Sequence, residues 1–252
     1  GQYGKFYAAF QNTPWYKDQK RLYEKNAREL GFNKVSELKL EVAKKIKEFV
    51  FSGGFLFAMC SATDSYDIAL ASEGVDICQH MFDGDAMDSD IDKNLDFEKT
   101  LAFKNFNLVK DPNKYEFSSI DATQSRRVKA KIDFFTLFDF SAKWDPIPTM
   151  LCQNHMQVIK GFMGQTTAFK KQYLKSNVIV MGETNLSNEA RYIHGKLGNG
   201  TWTFYGGHDP EDYQHRVGDP HTDLNNHPNS PGYRLILNNI LFPAAKKPPQ
   251  KT

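Results

Sequence analysis

The sequence lacks a long apolar run and a concentrated charge of either sign. No stretch approaches the roughly 18 apolar residues that a helix needs to cross a bilayer. The chain carries 32 basic and 30 acidic residues, intermixed along its length, for a net charge of +2. A nucleic-acid-binding surface needs a concentrated basic face. The composition therefore argues against nucleic acid as a partner and against direct insertion into a membrane.

Cysteine is also scarce. The three cysteines, Cys60, Cys78 and Cys152, are odd in number and irregularly spaced, which is not the pattern of a disulfide framework. No C-x-x-C pair occurs, which argues against a structural zinc site built from thiolates. We therefore expect no bound metal and no cofactor.

A short apolar run stands out in the first third of the chain. Residues 55–59, Phe-Leu-Phe-Ala-Met, follow two glycines and are uniformly apolar, which is typical of a central strand buried on both faces. Residues 36–50 before it have helical periodicity, and residues 61–71 after it resemble a capped helix start. Cys60 therefore lies at the carboxyl end of a strand, where ligands gather in open α/β sheets.

The residues around Cys60 are those of a tight strand-to-helix turn. A nucleophile elbow needs small residues two positions before and after its tip, and here both positions are alanine, Ala58 and Ala62. Backbone N–H groups at the following helix start would lower the thiol pKa and stabilise an oxyanion. We assign Ser61 and Gly54 to this elbow and oxyanion region. The alternative is that Cys60 is a small buried apolar residue that closes the strand.

A catalytic thiol needs a base, usually histidine, held by a third group. His208 follows a predicted strand at residues 202–205 and two glycines, so we expect it at the end of another sheet strand. Asp209 and Glu211 lie beside it and could orient its ring. Alternatively, the four histidines at 208, 215, 221 and 227 only populate a polar loop.

Two groups of polar residues could hold a metal ion. The acidic stretch Asp83, Asp85, Asp88, Asp90 and Asp92 could bind Ca²⁺ through carboxylates, but it lacks the glycine and glutamate of an EF-hand. The second group combines histidine and carboxylate; it comprises Asp209, Glu211, Asp212, His215, His221, Asp223 and His227. We favour solvated loops over metal sites in both places.

The chain is predicted to form a single domain over residues 1–242, with a β-rich insertion at about 83–150. Residues 14–31 predict a polar helix, residues 158–162 and 177–181 predict strands, and residues 232–241 predict a final helix. The tail at 243–252 is expected to be disordered.

These motifs resemble the class I glutamine amidotransferase-like superfamily, and most of all its trehalose-utilisation (ThuA-like) branch. The elbow at Cys60, the segment Gly198-Asn-Gly-Thr-Trp-Thr-Phe-Tyr-Gly-Gly-His-Asp-Pro210 and the closing helix carry the resemblance over residues 33–75 and 190–242. It implies a flavodoxin-like α/β fold, an open and mostly parallel sheet with helices on both faces. ThuA-like relatives commonly have His at the elbow, whereas true amidotransferases have Cys and place Pro-Glu directly after their His. Here Asp209 displaces Glu211 by one position.

The whole chain also resembles a group of Bacteroidetes envelope proteins, some labelled asparagine synthetase B. No ATP-binding synthetase motif accompanies that label. The resemblance implies a periplasmic or envelope-associated location, with a cytoplasmic one as the alternative, and envelope protein partners. Because the fold normally has more strands before the elbow and the chain starts Gly-Gln-Tyr-Gly without Met, we expect an N-terminal segment of the same protein as a further partner.

The leading hypothesis is an amidotransferase-like domain or hydrolase. Cys60 would be the nucleophile, His208 the base, and Glu211 or Asp209 the group that orients the base. The substrate would be a small molecule with an amide or similar carbonyl. The main alternative is a non-catalytic ThuA-like binding or scaffold component of an envelope assembly. A third hypothesis, carbohydrate processing with a metal near His208, follows from the ThuA-like resemblance.

Overall fold

The structure is a computed structural model that describes residues 7–123, 132–138, 156–213 and 219–244. The α-helices of these residues are α1 (Tyr7–Phe10), α2 (Pro14–Glu29), α3 (Val35–Phe51), α4 (Asp64–Ala71), α5 (His80–Asp83), α6 (Ile91–Asn94) and α7 (Pro231–Leu241). The strands are β1 (Phe55–Met59), β2 (Phe134–Leu137), β3 (Val158–Lys160), β4 (Phe169–Lys170), β5 (Ile179–Thr184), β6 (Glu189–Leu197) and β7 (Gly200–Tyr205). None of these helices is long and apolar enough to span a membrane.

The strands form one mixed sheet that curls into a half-barrel. The strand order is β1-β7-β6-β5-β2-β3, and β4 pairs with β6. Only β1 and β7 run parallel; every other pair is antiparallel. The predicted flavodoxin-like, open and mostly parallel sheet is therefore wrong.

The cause of the antiparallel order is the short connections. Strands β6 and β7 are joined by Gly198 and Asn199 alone, with Gly198 at φ +57°. A two-residue turn can join only antiparallel strands, because a parallel pair needs a crossover of a dozen or more residues. The short stretch Asn185–Asn188 joins β5 and β6 in the same way, with Asn188 at φ 53°.

Strand β1 has the bounds that its apolar run predicts. Its side chains alternate between two hydrophobic clusters: Leu56 and Ala58 pack into one, Phe57 and Met59 into the other. Both faces of β1 thus contribute to the core, which explains the uniform apolar composition. The prediction that β1 is central is wrong, because it stands at the end of the strand order in the described residues. Apolar side chains indicate that both faces of a strand are covered. They do not indicate whether other strands pair with both of its edges.

Helices α3 and α4 flank β1 in sequence and pack against each other. Ala43 and Val50 are the buried residues of α3. The Tyr66 hydroxyl on α4 donates to the Ala43 carbonyl at 3.0 Å. Helix α4 is tied to the following chain by Asp67, whose carboxylate accepts the backbone N–H groups of residues 101–103 at 2.7–2.9 Å. These contacts fix the helix that leaves the turn at Cys60.

Strand β6 was not predicted, because its sequence Glu-Ala-Arg-Tyr-Ile-His-Gly-Lys-Leu looks polar. Its first seven residues are nevertheless buried. The polar side chains find partners inside the sheet: Arg191 pairs with Asp133, and His194 Nδ1 lies 2.9 Å from Thr203 Oγ1. A buried polar group is tolerated when it is hydrogen-bonded, so polarity in the sequence did not mean exposure here.

The predicted insertion at 83–150 is not β-rich in its described part. Short helical turns occupy Ile91–Asn94 and Phe97–Lys99, isolated bridges follow, and β2 is the strand of this region. At the other end, a 3-10 turn at Phe242–Ala244 continues α7. The remainder of the predicted disordered tail, 245–252, lies outside the described residues.

We predict that Asp133→Ala lowers the free energy of unfolding by about 3–5 kcal/mol, because it leaves the buried Arg191 guanidinium without its carboxylate partner. The two side chains are only 3% and 2% exposed. The matched control is Asp18→Ala, which breaks the Asp18–Arg21 pair of two exposed side chains and should cost about 0–1 kcal/mol. Urea titration measures both. Equal losses in the two variants would contradict the prediction.

Candidate functional site

Cys60 occupies the tip of a sharp turn between β1 and α4. Its backbone has φ +56°, in the left-handed region, which costs a residue with a Cβ about 1–2 kcal/mol. The turn is held by Thr63, whose N–H and hydroxyl both donate to the Cys60 carbonyl, at 3.2 and 2.6 Å. Strain of this kind persists only where the surroundings hold it, and it gathers at functional sites. The thiol is free and half-buried.

His208 comes to the same end of the sheet because β1 and β7 are parallel neighbours. Met59 pairs with Tyr205 at the carboxyl ends of the two strands. One residue beyond β1, the Cys60 N–H donates to the Gly207 carbonyl at 3.2 Å. This hydrogen bond joins the two strand ends directly. It links Cys60, the candidate nucleophile, to Gly207, the residue before the candidate base His208. His208 itself is exposed.

A third segment, residues 161–167, closes this end of the sheet. Met163 N–H donates to the Asp209 carbonyl at 2.7 Å, and His208 N–H donates to the Met163 carbonyl at 2.6 Å. The Gly207 N–H donates to the Thr166 carbonyl at 2.6 Å. The segment thus follows β3 and runs alongside the chain that carries His208.

Gly164 lies between the thiol and the imidazole. A Cβ placed on Gly164 would be 2.9 Å from Cys60 Sγ and 3.0 Å from His208 Cδ2, so those two atoms are at most 5.9 Å apart. Because Cδ2 is bonded to Nε2, a rotation of the side chain combined with a bridging water would connect the thiol to a ring nitrogen. The structure therefore brings the two predicted residues, Cys60 and His208, together.

The backbone N–H of Gln165 donates to Cys60 Sγ at 3.1 Å. Backbone N–H groups that face a nucleophile can stabilise the oxyanion that forms when it attacks a carbonyl. Ser61, as the residue after the nucleophile, supplies the second N–H in an elbow of this kind. Ser61 is buried in the turn Cys60–Ala62, and its role in binding an oxyanion stays a prediction.

Gly54 does not belong to this site. It precedes β1, at the opposite end of the strand from Cys60, and lines a surface pocket together with Asn199, Gly200 and Phe242. Its lack of a side chain makes room for the ring of Phe49, since a Cβ would lie 2.3 Å from that ring. The assignment of Gly54 to the oxyanion region is therefore wrong.

Asp209 anchors the loop after His208. Its Oδ1 accepts from the N–H groups of residues 211 and 212 and from the Tyr233 hydroxyl, and its Oδ2 accepts from Thr222 at 2.7 Å. Burial alone would raise the pKa of this carboxyl, but these hydrogen bonds hold it below its usual value. Asp209 thus ties the loop to α7. These contacts support a role in fixing the backbone of His208 rather than the predicted role of orienting its ring.

Glu211 faces a different group of side chains. Its Oε1 accepts from the Ser230 hydroxyl at 2.6 Å. Its Oε2 lies 3.7 Å from Lys160 Nζ and 3.9 Å from His227 Nδ1. The contacts of Glu211 link β3 to the start of α7 and do not support it as the third member of a triad.

The two groups of residues considered as metal sites differ in how close their ligand atoms lie. Within the described residues, the only group of His, Cys, Asp and Glu with ligand atoms close enough to share an ion is Asp76, Asp83 and Asp85. The Lys34 ammonium already lies among them, 2.7 Å from Asp76 and 2.5 Å from Asp85, so a cation of the protein itself offsets part of the negative charge of this cluster. The histidine and carboxylate run forms no such group in its described part; His215 lies outside it.

Gly164 and Gln165 were missed by sequence reasoning. The signal was present as a second strand end followed by glycines, since β3 is followed by Gly161-Phe-Met-Gly164. Tyr115, on the loop before Ser118, was also not singled out from the sequence. Burial, and then the charge of Cys60, raises the pKa of Tyr115.

A pair of buried carboxyls lies behind the site. Asp64 in the first turn of α4 is fully buried, and Asp121 is 2% exposed. Asp64 Oδ1 accepts from the Thr166 hydroxyl at 3.1 Å, which connects the elbow helix to the segment beside the thiol. Burial, followed by the charge of Asp121, raises the pKa of Asp64 to about 8. At neutral pH Asp64 therefore holds its proton.

Comparisons of the chain with family models, with curated proteins and with solved structures find no match. The amidotransferase-like resemblance therefore stays a prediction from the sequence motifs, and the flavodoxin-like sheet that it implies is not found.

We predict that Gly164→Ala slows alkylation of Cys60 by about tenfold, because the new Cβ would displace the thiol, the imidazole or the loop between them. The matched control is Gly74→Ala. Gly74 also has a positive φ, +85°, but has no atom within 4 Å of a Cβ, so it carries the backbone strain without the collision. Both variants should lose about 1 kcal/mol of stability. Similar alkylation rates in the two variants would count against the placement of Gly164.

We predict that Asp64→Asn makes the protein more stable than the wild type at pH 8 and about equally stable at pH 4. The folded protein holds the Asp64 proton up to a pKa of about 8, whereas the unfolded chain releases it near the usual value of 3.8. The contribution of the Asp64 proton to the free energy of unfolding is therefore fully present below about pH 4. It falls as pH rises towards 8, by at most about 1.4 kcal/mol per pH unit. Urea titrations across this range measure the slope, with Asp18→Asn as an exposed control. A variant that retains the wild-type slope would refute the assignment to Asp64.

Proposed function

We propose that this protein is a cysteine-dependent hydrolase or amidotransferase that acts on an amide or a similar carbonyl of a small molecule. The observation that carries the proposal is the approach of Cys60 Sγ to the His208 ring, at most 5.9 Å from Cδ2 given their distances of 2.9 and 3.0 Å from one point at Gly164. The left-handed backbone of Cys60 and the N–H group of Gln165 at 3.1 Å support the same function.

The chemistry follows from these positions. His208 takes the proton from Cys60 Sγ, and the thiolate attacks the carbonyl carbon of the substrate. The carbonyl oxygen becomes an oxyanion that accepts from the N–H groups of Gln165 and Ser61. The tetrahedral intermediate collapses, the C–N bond breaks, and His208 gives its proton to the leaving amine, which leaves a thioester on Cys60.

The thioester is then resolved by a second attack. Water attacks it with His208 as the base and releases a carboxylic acid, or an amine attacks it and the acyl group is transferred. The proton that His208 accepts returns to Sγ when the thiolate leaves. Each cycle therefore restores the free thiol and the neutral imidazole. The exposed position of His208 gives water access to the base.

The scaffold hypothesis makes the opposite geometric prediction. A non-catalytic protein would be expected to hold Cys60 and His208 too far apart for one water to bridge. The bound of 5.9 Å, set by the 2.9 and 3.0 Å distances at Gly164, does not favour that hypothesis. The envelope-associated location and the envelope partners implied by the resemblance stay predictions.

The test is alkylation of the folded protein with iodoacetamide at pH 7, followed by mass spectrometry of each cysteine peptide. We expect Cys60 to react faster than Cys78, which serves as an internal reference. Burial, and then the charge of Asp83, raises the pKa of the Cys78 thiol to about 12, so very little of it is thiolate at pH 7. Incubation with p-nitrophenyl acetate should also leave an acetyl group on Cys60.

His208→Ala should slow both reactions of Cys60 by about tenfold or more, because the thiol loses its base, and should leave Cys78 unchanged. The matched control is His221→Ala, which removes an exposed histidine from the region that follows the site. The proposal fails if Cys60 reacts no faster than Cys78, or if the two histidine variants behave alike.

A further inference from the structure

Gln165, whose backbone N–H meets the thiol, has a buried side chain with both polar atoms unpaired. The residue is 6% exposed, and neither Oε1 nor Nε2 has a hydrogen-bond partner among the residues that the structure describes. Leaving one buried polar group unpaired costs about 1–3 kcal/mol, and at least about nine in ten buried polar groups in folded proteins are paired. An amide with both ends unpaired therefore calls for a partner that the described part of the chain does not supply.

The backbone of Gln165 is held by hydrogen bonds on both sides. Its N–H meets Cys60 Sγ at 3.1 Å, and its carbonyl oxygen lies 2.9 Å from Thr123 Oγ1. Gly164 before it packs between Cys60 and His208. The unpaired amide thus belongs to a residue whose backbone N–H donates to the Cys60 thiol.

The other polar side chains of this segment do have partners. Thr166 donates to Asp64 at 3.1 Å, and the Thr167 hydroxyl lies 2.9 Å from that of Thr123. The lack of partners at Gln165 is therefore specific to this side chain and is not a general feature of a poorly bonded loop.

We propose that the Gln165 amide is the specificity-determining group of the Cys60 site, and that it binds an uncharged group of the substrate that both donates and accepts hydrogen bonds, next to the carbon that Cys60 attacks. The inference rests on the proposed function and deepens it. A glutamine amide offers two donors and an acceptor oxygen side by side. A carboxamide of the substrate meets both ends at once.

Charged groups meet only half of this requirement. A carboxylate offers acceptors alone and an ammonium offers donors alone, so either would leave one end of the Gln165 amide unpaired. A site that is built to hydrogen-bond its substrate discriminates strongly against analogues that lack the matching group. We therefore assign the site to substrates that carry a carboxamide or an equivalent neutral group.

The experiment compares two small thiol reagents on the full chain. Iodoacetamide carries a carboxamide next to the carbon that is attacked, and methyl methanethiosulfonate carries no hydrogen-bond donor. The rate of modification of Cys60 is measured with each reagent in the wild type, in Gln165→Met and in Gln172→Met. Methionine matches glutamine in size and removes both polar atoms. Gln172 is exposed and is the control.

In Gln165→Met we expect the iodoacetamide rate to fall by about tenfold relative to the methyl methanethiosulfonate rate, since one good hydrogen bond is worth about that factor. The ratio should not change in Gln172→Met. The melting temperature of Gln165→Met should equal or exceed that of the wild type, because an unpaired amide is replaced by apolar atoms. A merely structural role of the amide would instead lower it.

An unchanged ratio in Gln165→Met, with Cys60 still fast and still dependent on His208, would overturn this inference and leave the proposed function intact. A Cys60 that is slow, or independent of His208, would overturn both. If Gln165→Met does not fold, a protection experiment on the wild-type protein tests the same inference. Excess acetamide should protect Cys60 from methyl methanethiosulfonate more than excess N,N-dimethylacetamide, which has no donor, and equal protection would overturn the inference.

Discussion

The site depends on how closely three chain segments approach one another at the carboxyl ends of β1 and β7. Each approach requires a glycine. A Cβ on Gly206 would lie 2.3 Å from the Thr167 carbonyl oxygen, and one on Gly207 would lie 2.3 Å from that of Phe162. Gly164 leaves the space between the thiol and the imidazole in the same way. With a side chain at any of these three positions, the backbone segments could not approach closely enough to form the hydrogen bonds that hold the nucleophile, the base and the loop together.

Local features of the chain were predictable because neighbouring residues alone determine them. The strand at Phe55–Met59, the turn at Cys60 and the strand that leads to His208 all follow from apolar runs punctuated by glycine or alanine. The prediction that Cys60 and His208 lie near each other also succeeded, since both residues follow strands that prove to be parallel neighbours. That success needed only one correct strand pair, although the rest of the predicted sheet was wrong.

The wrong predictions came from interactions between residues distant in sequence. Strand β6 was missed because Arg191 and His194 look exposed until Asp133 and Thr203 are brought to them. The direction of the sheet was misjudged although the turn Gly198-Asn199 between two strands is a hairpin signal. That turn had been interpreted only as part of a family motif. Gln165 could not have been found from the sequence, because its importance lies in the partners that its amide lacks.

Three unfavourable features of this protein lie around one thiol. Cys60 holds a left-handed backbone, Asp64 keeps a carboxyl fully buried beside a second one, and Gln165 leaves an amide unpaired. Farther along the sheet, the buried side chains of Arg191 and His194 contact Asp133 and Thr203. A fold selected for stability alone would not gather its strain, its buried acid and its unpaired amide around a single thiol. Such departures from local consistency are what a functional site requires, and here they surround Cys60.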